Sequence, residues 1–339
     1  MGPLTIVFAR CLQAIPTVFG IVVVTFLLTR ALPGDPAAYF AGASATAESI
    51  AEIRAKLGLD QSLPVQFWTY LKDLSSGDLG QSISTGQPVA AELLRRLPAS
   101  LELTLTALLL SVAIAIPLGV LAAVRQDSWI DQLCRLVVTA GVSLPTFFTG
   151  LLLIYVLYFL LGLAPAPLGR LDLLHVTPPQ VTGFLVLDAL IAREWATAWS
   201  AARQLALPSI TLALFTLAPL ARMTRAAMLQ ALASEYLRTA RAAGLSRGRV
   251  LMVYAFRNAL LPIVTTLGMV FSFSLGANVL VEKVFAWPGI GSYALEALVV
   301  SDYAAVQGFV LSMAVLFVLV NLAIDIVYTL IDPRMRIEG

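Results

Sequence analysis

Six long apolar stretches, separated by polar segments, dominate the residue pattern of this chain. A helix needs about 20 mostly apolar residues to cross the hydrocarbon layer of a membrane, and each stretch reaches that length. The stretches cover residues 9–30, 101–124, 135–161, 205–227, 258–281 and 304–330. We therefore expect an all-α integral membrane protein with six transmembrane helices and with both termini on the same side.

The composition agrees with a lipid environment. Of the 339 residues, 59% are hydrophobic and only 12% are charged, and the mean hydropathy is +0.88, so the chain is too apolar to fold around one soluble core. Charged side chains are nearly absent from the middle of the stretches, since Glu282 and Asp325 both lie near stretch ends. An ion-coupled secondary transporter, the main competing class, would be expected to carry a carboxylate there.

The polar segments between the stretches differ in length and character. Residues 31–100 are too many for a simple connection and include a predicted helix over 46–57, so we expect a small extracytoplasmic cap. The second outer loop, 162–204, carries Trp195 and Trp199, which suit the membrane interface or a docking surface. The sequence thus predicts a first helix 1–30, a cap 31–100, a core of five transmembrane helices 101–332 and a tail 333–339.

Arginine placement predicts the orientation. Seven arginines and one acid lie between residues 222 and 257, around the loop 228–257 that joins the fourth and fifth stretches. With the amino terminus inside, the inner face carries 12 basic and 6 acidic residues, and the outer face carries 10 basic and 14 acidic residues. Basic residues near span ends favour the cytoplasmic side. We expect this loop and both termini to be cytoplasmic.

The Arg-rich loop also has a helical pattern. Alanines favour a helix over 235–243, Gly244 can adopt the left-handed conformation that ends it, and a second helix is predicted to resume near Val250. A hairpin of small residues and arginines between two spans is suited to docking into another protein. A topology signal is the competing interpretation, but arginines alone do not require this placement of Ala and Gly.

A turn is predicted at the outer end of the fifth stretch. Pro288 and Gly289 force the chain to turn, and Phe285 and Trp287 offer an apolar plug beside Glu282. We expect an outer gate at these five residues. Anchoring of Trp287 at the membrane interface is the other interpretation, and it does not exclude the first.

Small and polar residues inside the stretches are candidates for the lining of a pathway. Such residues face a wet cavity or serve only to pack helices together, and the sequence leaves both interpretations open. The candidates are Ser143, Thr146, Thr149, Ser272, Ser274, Gly276 and Asn278. Four prolines, which remove backbone donors inside helices, are predicted to interrupt the spans: Pro117, Pro145, Pro219 and Pro262.

The chain lacks the sequence marks of catalysis. It has no phosphate-binding G-x-x-x-x-G-K-[ST] loop, no paired carboxylates within a stretch and no Cys/His metal spacing. The single histidine, His175, is expected to serve a surface or packing role. Basic residues without interleaved aromatics argue against nucleic acid. We expect a chain that is not an enzyme by itself and that holds neither cofactor nor metal.

Ten short motifs follow one another in a fixed order along the chain. With them, the chain resembles the permease subunits of ABC importers, in particular the dipeptide and oligopeptide family, whose members are also associated with nickel chelates and glutathione. The motifs are Leu32-Pro-Gly-Asp35-Pro, Gly58-Leu-Asp60, Gly77-Asp-Leu-Gly80-Gln-Ser, Arg96-Leu-Pro98, Thr182-Gly-Phe-Leu-Val-Leu-Asp188, Glu235 to Gly244, Asn258-Ala-Leu-Leu-Pro262, Glu282 with Trp287-Pro-Gly289-Ile-Gly291, Asp302-Tyr303 and Asp332-Pro-Arg334. Tyr254 stands where such permeases often have His.

The resemblance implies a type I importer core and a coupling role for the Arg-rich loop. As an EAA-type loop, it would sit in a groove of an ATPase subunit, with Ala240 and Ala243 permitting close approach. The residues so implied are Glu235, Tyr236, Arg238, Thr239, Ala240, Arg241, Ala243 and Gly244.

The resemblance further implies partners in a bacterial inner membrane. These are a second, homologous permease subunit, two cytoplasmic ATPase subunits that bind ATP and Mg, an extracytoplasmic substrate-binding protein, and membrane lipid. The expected cargo is a di- or oligopeptide, and nickel chelates or glutathione stay open as alternatives.

Overall fold

The computed structural model describes residues 3–31, 35–42 and 45–331, and the regular elements in these ranges are helices. An isolated antiparallel bridge pairs Gln81 with Pro88. The α-helices are α1 (Pro3–Ala31), α2 (Pro36–Ala41), α3 (Ala47–Lys56), α4 (Leu63–Ser75), α5 (Val89–Val124), α6 (Trp129–Val142), α7 (Thr146–Leu153), α8 (Leu185–Ile191), α9 (Trp195–Leu232), α10 (Glu235–Ala242), α11 (Arg247–Arg249), α12 (Phe256–Val284), α13 (Ile290–Val299) and α14 (Tyr303–Ile331). Two π-helical segments, Ile154–Leu160 and Val250–Ala255, continue α7 and join α11 to α12.

Four helices in the described ranges are long and apolar enough to cross a membrane. They are α5, α9, the continuous helix Arg247–Val284, and Tyr303–Tyr328 within α14. Shorter apolar helices are Ile15–Ala31, Thr146–Leu160 and Ile290–Val299. The all-α membrane fold is therefore confirmed, and the count of six spans stays a prediction. The motif at Asp332 and the tail 333–339 lie outside the described residues.

The third predicted span, 135–161, is not one helix. The chain leaves helical geometry after Val142 and resumes it at Thr146, with Pro145 as the residue before α7. Proline lacks a backbone donor and its ring restricts the residue before it, so a break at this place is expected. The other three prolines predicted to interrupt spans lie inside α5, α9 and α12, which run through them.

Helix α9 is the most buried of the spanning helices and packs against α5, α12, α6, α7 and α8. Its contact with α5 is close because small residues meet there. The hydroxyl of Ser111 donates to the carbonyl of Ala213 at 3.0 Å. A Cβ atom at Gly119 would lie 2.6 Å from the Cβ of Thr224 and 2.8 Å from the carbonyl oxygen of Ala221. Gly119 is thus needed for the approach of the two helices.

The cap starts as the sequence predicts. Thr46 caps α3 by accepting a hydrogen bond from the backbone of Ser49, and Gly58, with φ of +65°, follows the end of that helix. Helix α4 then packs its aromatic side chains on α1. The ring of Phe26 lies 5.0 Å from that of Phe67. Three ring contacts, Phe19 with Phe67 and Phe26 with Phe67 and Tyr70, therefore join the first helix to α4.

We predict that Gly119→Ala destabilises the chain, whereas Gly276→Ala does not. The first change forces backbone and Cβ atoms of α9 to move, and such overpacking costs about 1–3 kcal/mol. No atom lies within 4 Å of the added methyl group at Gly276, where a better helix former adds up to about 1 kcal/mol. Thermal unfolding of the two variants in the same detergent measures the difference, and equal midpoints would contradict the proposed close contact.

Candidate functional site

Helix α10 presents one buried face and one exposed face. Leu237 and Ala240 are buried in the chain, whereas Glu235, Tyr236, Arg238, Thr239, Arg241, Ala243 and Gly244 are exposed. The resemblance implies that Ala240 lies against a partner. In the structure it is buried and does not lie on the surface that is open to one. Its small side chain instead permits close packing of α10 on the helices behind it.

The helix ends as predicted, at a glycine. Gly244 has φ of +78° and donates from its backbone to the carbonyl of Arg241 at 3.0 Å. No atom would meet a Cβ at this position, so the backbone conformation alone favours glycine. The next helix begins at Arg247, three residues before the predicted Val250.

The buried face of α10 joins it to two spanning helices. Leu237 and Ala240 belong to one apolar cluster that also contains Met228 of α9, Val250 of the π segment and Ala259 of α12. Leu237 is 0% exposed. A fully packed side chain cannot slide without disturbing its neighbours, so Leu237 fixes the position of α10 against the residues of this cluster.

A buried ion pair lies at the same end of the molecule and was not predicted. Asp131 of α6 is fully buried and accepts hydrogen bonds from Nε and Nη2 of Arg225 in α9, at 2.7 and 2.6 Å. Arg135 adds a contact at 3.2 Å. The Arg225 guanidinium holds the pKa of Asp131 below its usual range, against the opposing effect of burial. The sequence shows only that Asp131 is an acid among many arginines. It does not show that Asp131 pairs with Arg225, which lies 94 residues away.

At the outer end, Glu282 is the centre of a second polar cluster. Its carboxylate is 0% exposed and accepts hydrogen bonds from the hydroxyl of Ser100, from Asn278 Nδ2 at 3.0 Å and from the backbone of Ser292 at 2.8 Å. The last of these donors lies in the first turn of α13, where a negative charge is favoured by the helix dipole. The cluster therefore ties α5, α12 and α13 together.

The glycines of the predicted gate motif leave room for this carboxylate. A Cβ atom at Gly289 would lie 2.2 Å from Oε1 of Glu282, and one at Gly291 would lie 2.8 Å from Cα of Val279. The spacing of the motif is thus explained by a turn that brings the start of α13 onto the side chain of Glu282.

Two aromatic residues of the motif lie inside the chain. Trp287 is 1% exposed, and its indole Nε1 donates to the carbonyl of Ala99 at 2.9 Å. Phe285 is buried beside it. Anchoring of Trp287 at the membrane interface is therefore wrong, because the ring is covered by protein. The gate itself stays a prediction.

The loop 162–204 is held by hydrogen bonds close to the Trp287 turn and α5. Arg170 donates to the carboxylate of Glu102 and, at 2.8 Å, to the carbonyl of Gly183, while Glu102 also accepts from the backbone of Val186 at 3.0 Å. The guanidinium of Arg170 lies 5.9 Å from the ring of Trp287. The loop therefore contacts α5, α8 and the Trp287 turn at once.

The side chain of Asp188 explains why the motif Thr182 to Asp188 has its acid six residues after its threonine. Its side chain accepts from the backbone of Thr182 at 2.7 Å and of Gly183 at 2.9 Å, and so fixes the entry to α8. Burial raises the pKa of Asp188, but these hydrogen bonds outweigh burial and leave the pKa below its usual range.

Asp302 similarly joins the cap to α14. It is fully buried and accepts hydrogen bonds from the hydroxyl of Ser82 at 2.6 Å and from the backbone of Ser84 at 3.2 Å. The cap motif that ends at Ser82 and the Asp302-Tyr303 motif are thus two sides of one contact.

The structure separates the candidate pathway residues. Ser274 and Asn278 are buried inside the chain, and Asn278 binds Glu282 and Thr104. Ser143 and Gly276 are exposed, and Thr146, Thr149 and Ser272 are half-buried. Ser272 borders a cavity of about 710 Å³ between α12 and α14, together with Asn321 and Asp325.

Two family models match the chain. The model described as the binding-protein-dependent transport system inner membrane component matches residues 115–337. The model for the N-terminal part of such membrane components matches residues 4–104. Together the two matches extend over nearly the whole sequence.

Several curated proteins are similar along nearly their full length. The probable D,D-dipeptide transport system permease protein DdpB of Escherichia coli K12 is 44% identical, over 97% of both chains. The di/tripeptide transport system permease protein DppB of Pseudomonas aeruginosa UCBPP-PA14 is 43% identical, over 95% of this chain and 96% of the relative. The dipeptide transport system permease protein DppB of Alkalihalophilus pseudofirmus OF4 is 38% identical, over 96% and 98%.

We predict that Glu282→Ala lowers the free energy of unfolding by at least about 3 kcal/mol, because three buried donors lose their acceptor and each buried donor left unsatisfied costs about 1–3 kcal/mol. The matched control is Glu296→Ala, whose carboxylate pairs with Lys283 at the surface, where a salt bridge contributes about 0–1 kcal/mol. Thermal unfolding of both variants in detergent is the measurement. Similar losses in the two would refute the role of Glu282 as the tie between the helices.

Proposed function

Because the chain belongs to the family of inner membrane components of binding-protein-dependent transport systems, we propose that it is the permease subunit of an ATP-driven ABC importer for di- or oligopeptides. The observation that carries this conclusion is the 38–44% identity, over nearly the full length, to permeases named for dipeptides or D,D-dipeptides. The chain is a multi-pass membrane component and does not itself catalyse ATP hydrolysis.

The coupling surface is the exposed face of α10. Arg238 and Glu235 are among its most exposed side chains, and Tyr236 adds an apolar ring beside them. This face would occupy a groove of a cytoplasmic ATPase subunit, in which ATP and Mg are bound. The chain contributes the docking helix, and the hydrolysis takes place in its partner.

The inner face of α10 supports the transmission of force. Since Leu237 and Ala240 pack among residues of α9 and α12, movement of the ATPase groove would displace those two spanning helices with α10. The π segment directly after the loop offers a local irregularity of the kind often found at functional sites.

The single α10 loop of this chain determines how many permease subunits the importer needs. Two ATPase subunits would need two permease chains, so this chain forms half of the pore and a second, homologous permease forms the other half. An extracytoplasmic substrate-binding protein would deliver cargo to the cap and to the loop 162–204. Both termini and the α10 loop would face the cytoplasm of a bacterial cell, and lipid would surround the spans.

The turn after α12 is the proposed outer gate. Phe285 and Trp287 pack against residues of α5, and the guanidinium of Arg170 lies 5.9 Å from the Trp287 ring, which supports a gate that would close through these contacts. Opening would require the turn and α13 to move together, because Glu282 binds the first turn of α13. The exposed or half-buried residues Ser143, Thr146, Thr149, Ser272 and Gly276 are the proposed contributors to the pathway.

Other cargoes keep the same architecture. Nickel chelates or glutathione would use the same coupling surface, and the names of the relatives favour dipeptides. An ion-coupled secondary transporter is the alternative from another class of transport protein. It would differ from an ABC importer in its energy source, an ion gradient instead of ATP.

We predict that dipeptide uptake by proteoliposomes holding the assembled importer requires internal ATP. An uncoupler that collapses the proton gradient should leave uptake unchanged while ATP is held constant, because no ion gradient drives the step. Uptake of radiolabelled dialanine, with and without the binding protein, is the measurement. Loss of uptake with the uncoupler alone would support the ion-coupled alternative.

We predict that Gly244→Asp uncouples transport, with peptide imported per ATP hydrolysed falling about tenfold or more, because a side chain at positive φ costs about 1–2 kcal/mol and disturbs the end of α10. Gly248→Asp is the matched control, since it adds the same charge in the same exposed loop at a position without positive φ. Uptake and ATPase activity are measured in the assembled complex. Normal coupling in Gly244→Asp would count against the assigned surface, and equal losses in both variants would indicate a charge effect alone.

A further inference from the structure

A cavity of about 280 Å³ lies between α5, α6 and α9, next to the buried Asp131–Arg225 pair. Its walls are mostly apolar, with Leu118 and Ala122 from α5 and Val138 from α6. Gly119 of α5, Ala221 of α9 and Cys134 of α6 also line it. By the proposed orientation this end of the helices is cytoplasmic.

Three guanidinium groups line the same cavity: those of Arg135, Arg222 and Arg225. Asp131 offsets part of their charge, and the exposed Asp127 lies 4.0 Å from Arg135. Arg222 differs from the other two, because among the described residues it has neither an ion-pair nor a hydrogen-bond partner and its side chain is exposed. The cavity therefore combines an apolar wall with one cation that has no partner among the residues the structure describes.

We infer that this cavity binds the phosphodiester headgroup of an anionic phospholipid from the cytoplasmic leaflet, with Arg222 as its main charge partner and Arg135 as its second. Basic pockets between spanning helices on the cytoplasmic side are suited to such headgroups, since the phosphate meets arginine while the acyl chains stay against apolar surface. Exposed Leu121 and Val124 of α5 and Leu136 of α6 provide apolar surface on the same helices.

The position gives the site a consequence for coupling. Arg225 and Arg222 lie on α9, about two and three turns before that helix ends and α10 begins. A bound phosphate would strengthen the attachment of α6 to α9 and so hold the base of the coupling loop. This inference rests on the proposed orientation for the choice of leaflet, but the binding itself does not depend on transport.

The test uses the assembled importer, purified in mild detergent and titrated with dioleoylphosphatidylglycerol or dioleoylphosphatidylcholine, and native mass spectrometry counts the lipids that stay bound. The wild type is expected to retain the anionic lipid preferentially. Arg222→Gln should weaken that retention about fivefold, the effect of one basic residue near an anionic group. Arg247→Gln, a change in an exposed arginine of α11 that does not line the cavity, is the matched control and should match the wild type.

A second variant keeps every charge. Thr139 lines the cavity and is exposed, so Thr139→Trp fills the mouth and should also weaken retention. Equal retention of both lipids by the wild type, or the same loss in Arg222→Gln and Arg247→Gln, would overturn the site. So would the absence of retained lipid, which would show that another subunit covers the cavity. ATP-driven uptake is measured separately, so failure of this site leaves the transport proposal standing.

Discussion

The carboxyl group of Glu282 is the group on which the half of the molecule around the Trp287 turn depends. A polar group that is completely removed from solvent is tolerated only where hydrogen-bond partners surround it, and here those partners come from α5, α12 and α13. The carboxylate thereby specifies how three separate helices meet. The absence of side chains at Gly289 and Gly291, and the turn through Pro288, follow from the need to bring the first turn of α13 onto that oxygen pair.

The half that contains α10 is built by a different rule. There α10 is held by apolar packing of Leu237 and Ala240, while its charges point outward. The buried carboxylate of Asp131 at that end joins α6 to α9 through its hydrogen bonds to Arg135 and Arg225. A partner that pulls on α10 would therefore act on α9 and α12 through close-packed apolar side chains, which resist deformation. Because the Asp131–Arg225 ion pair links α6 to α9, α6 would move with α9.

The sequence predicted what periodicity and local backbone preference control. Stretches of apolar residues locate the spanning helices, and Gly244 and Gly58 end helices because their backbone needs positive φ. Pairings across long separations could not be predicted in this way. Nothing in the run around Asp188 says that it binds backbone five and six residues earlier, and nothing around Asp131 points to Arg225. The error about Trp287 has the same origin, since interfacial and buried tryptophans have the same local sequence.

The buried carboxyl groups of Glu282, Asp188 and Asp302 lie close to the ends of helices, and physical chemistry gives the reason. In hydrocarbon an unsatisfied polar group costs too much to be kept without function, so the chain concentrates its buried carboxylates where loops and helix termini supply backbone donors. Glu282, Asp188 and Asp302 all accept hydrogen bonds from backbone N–H groups. In the motifs that contain these three residues, a carboxyl group thus accepts hydrogen bonds from the backbone of another short segment. Between these ties the spanning helices meet through small and apolar residues, so they can move as rigid bodies while the ties keep the ends in register.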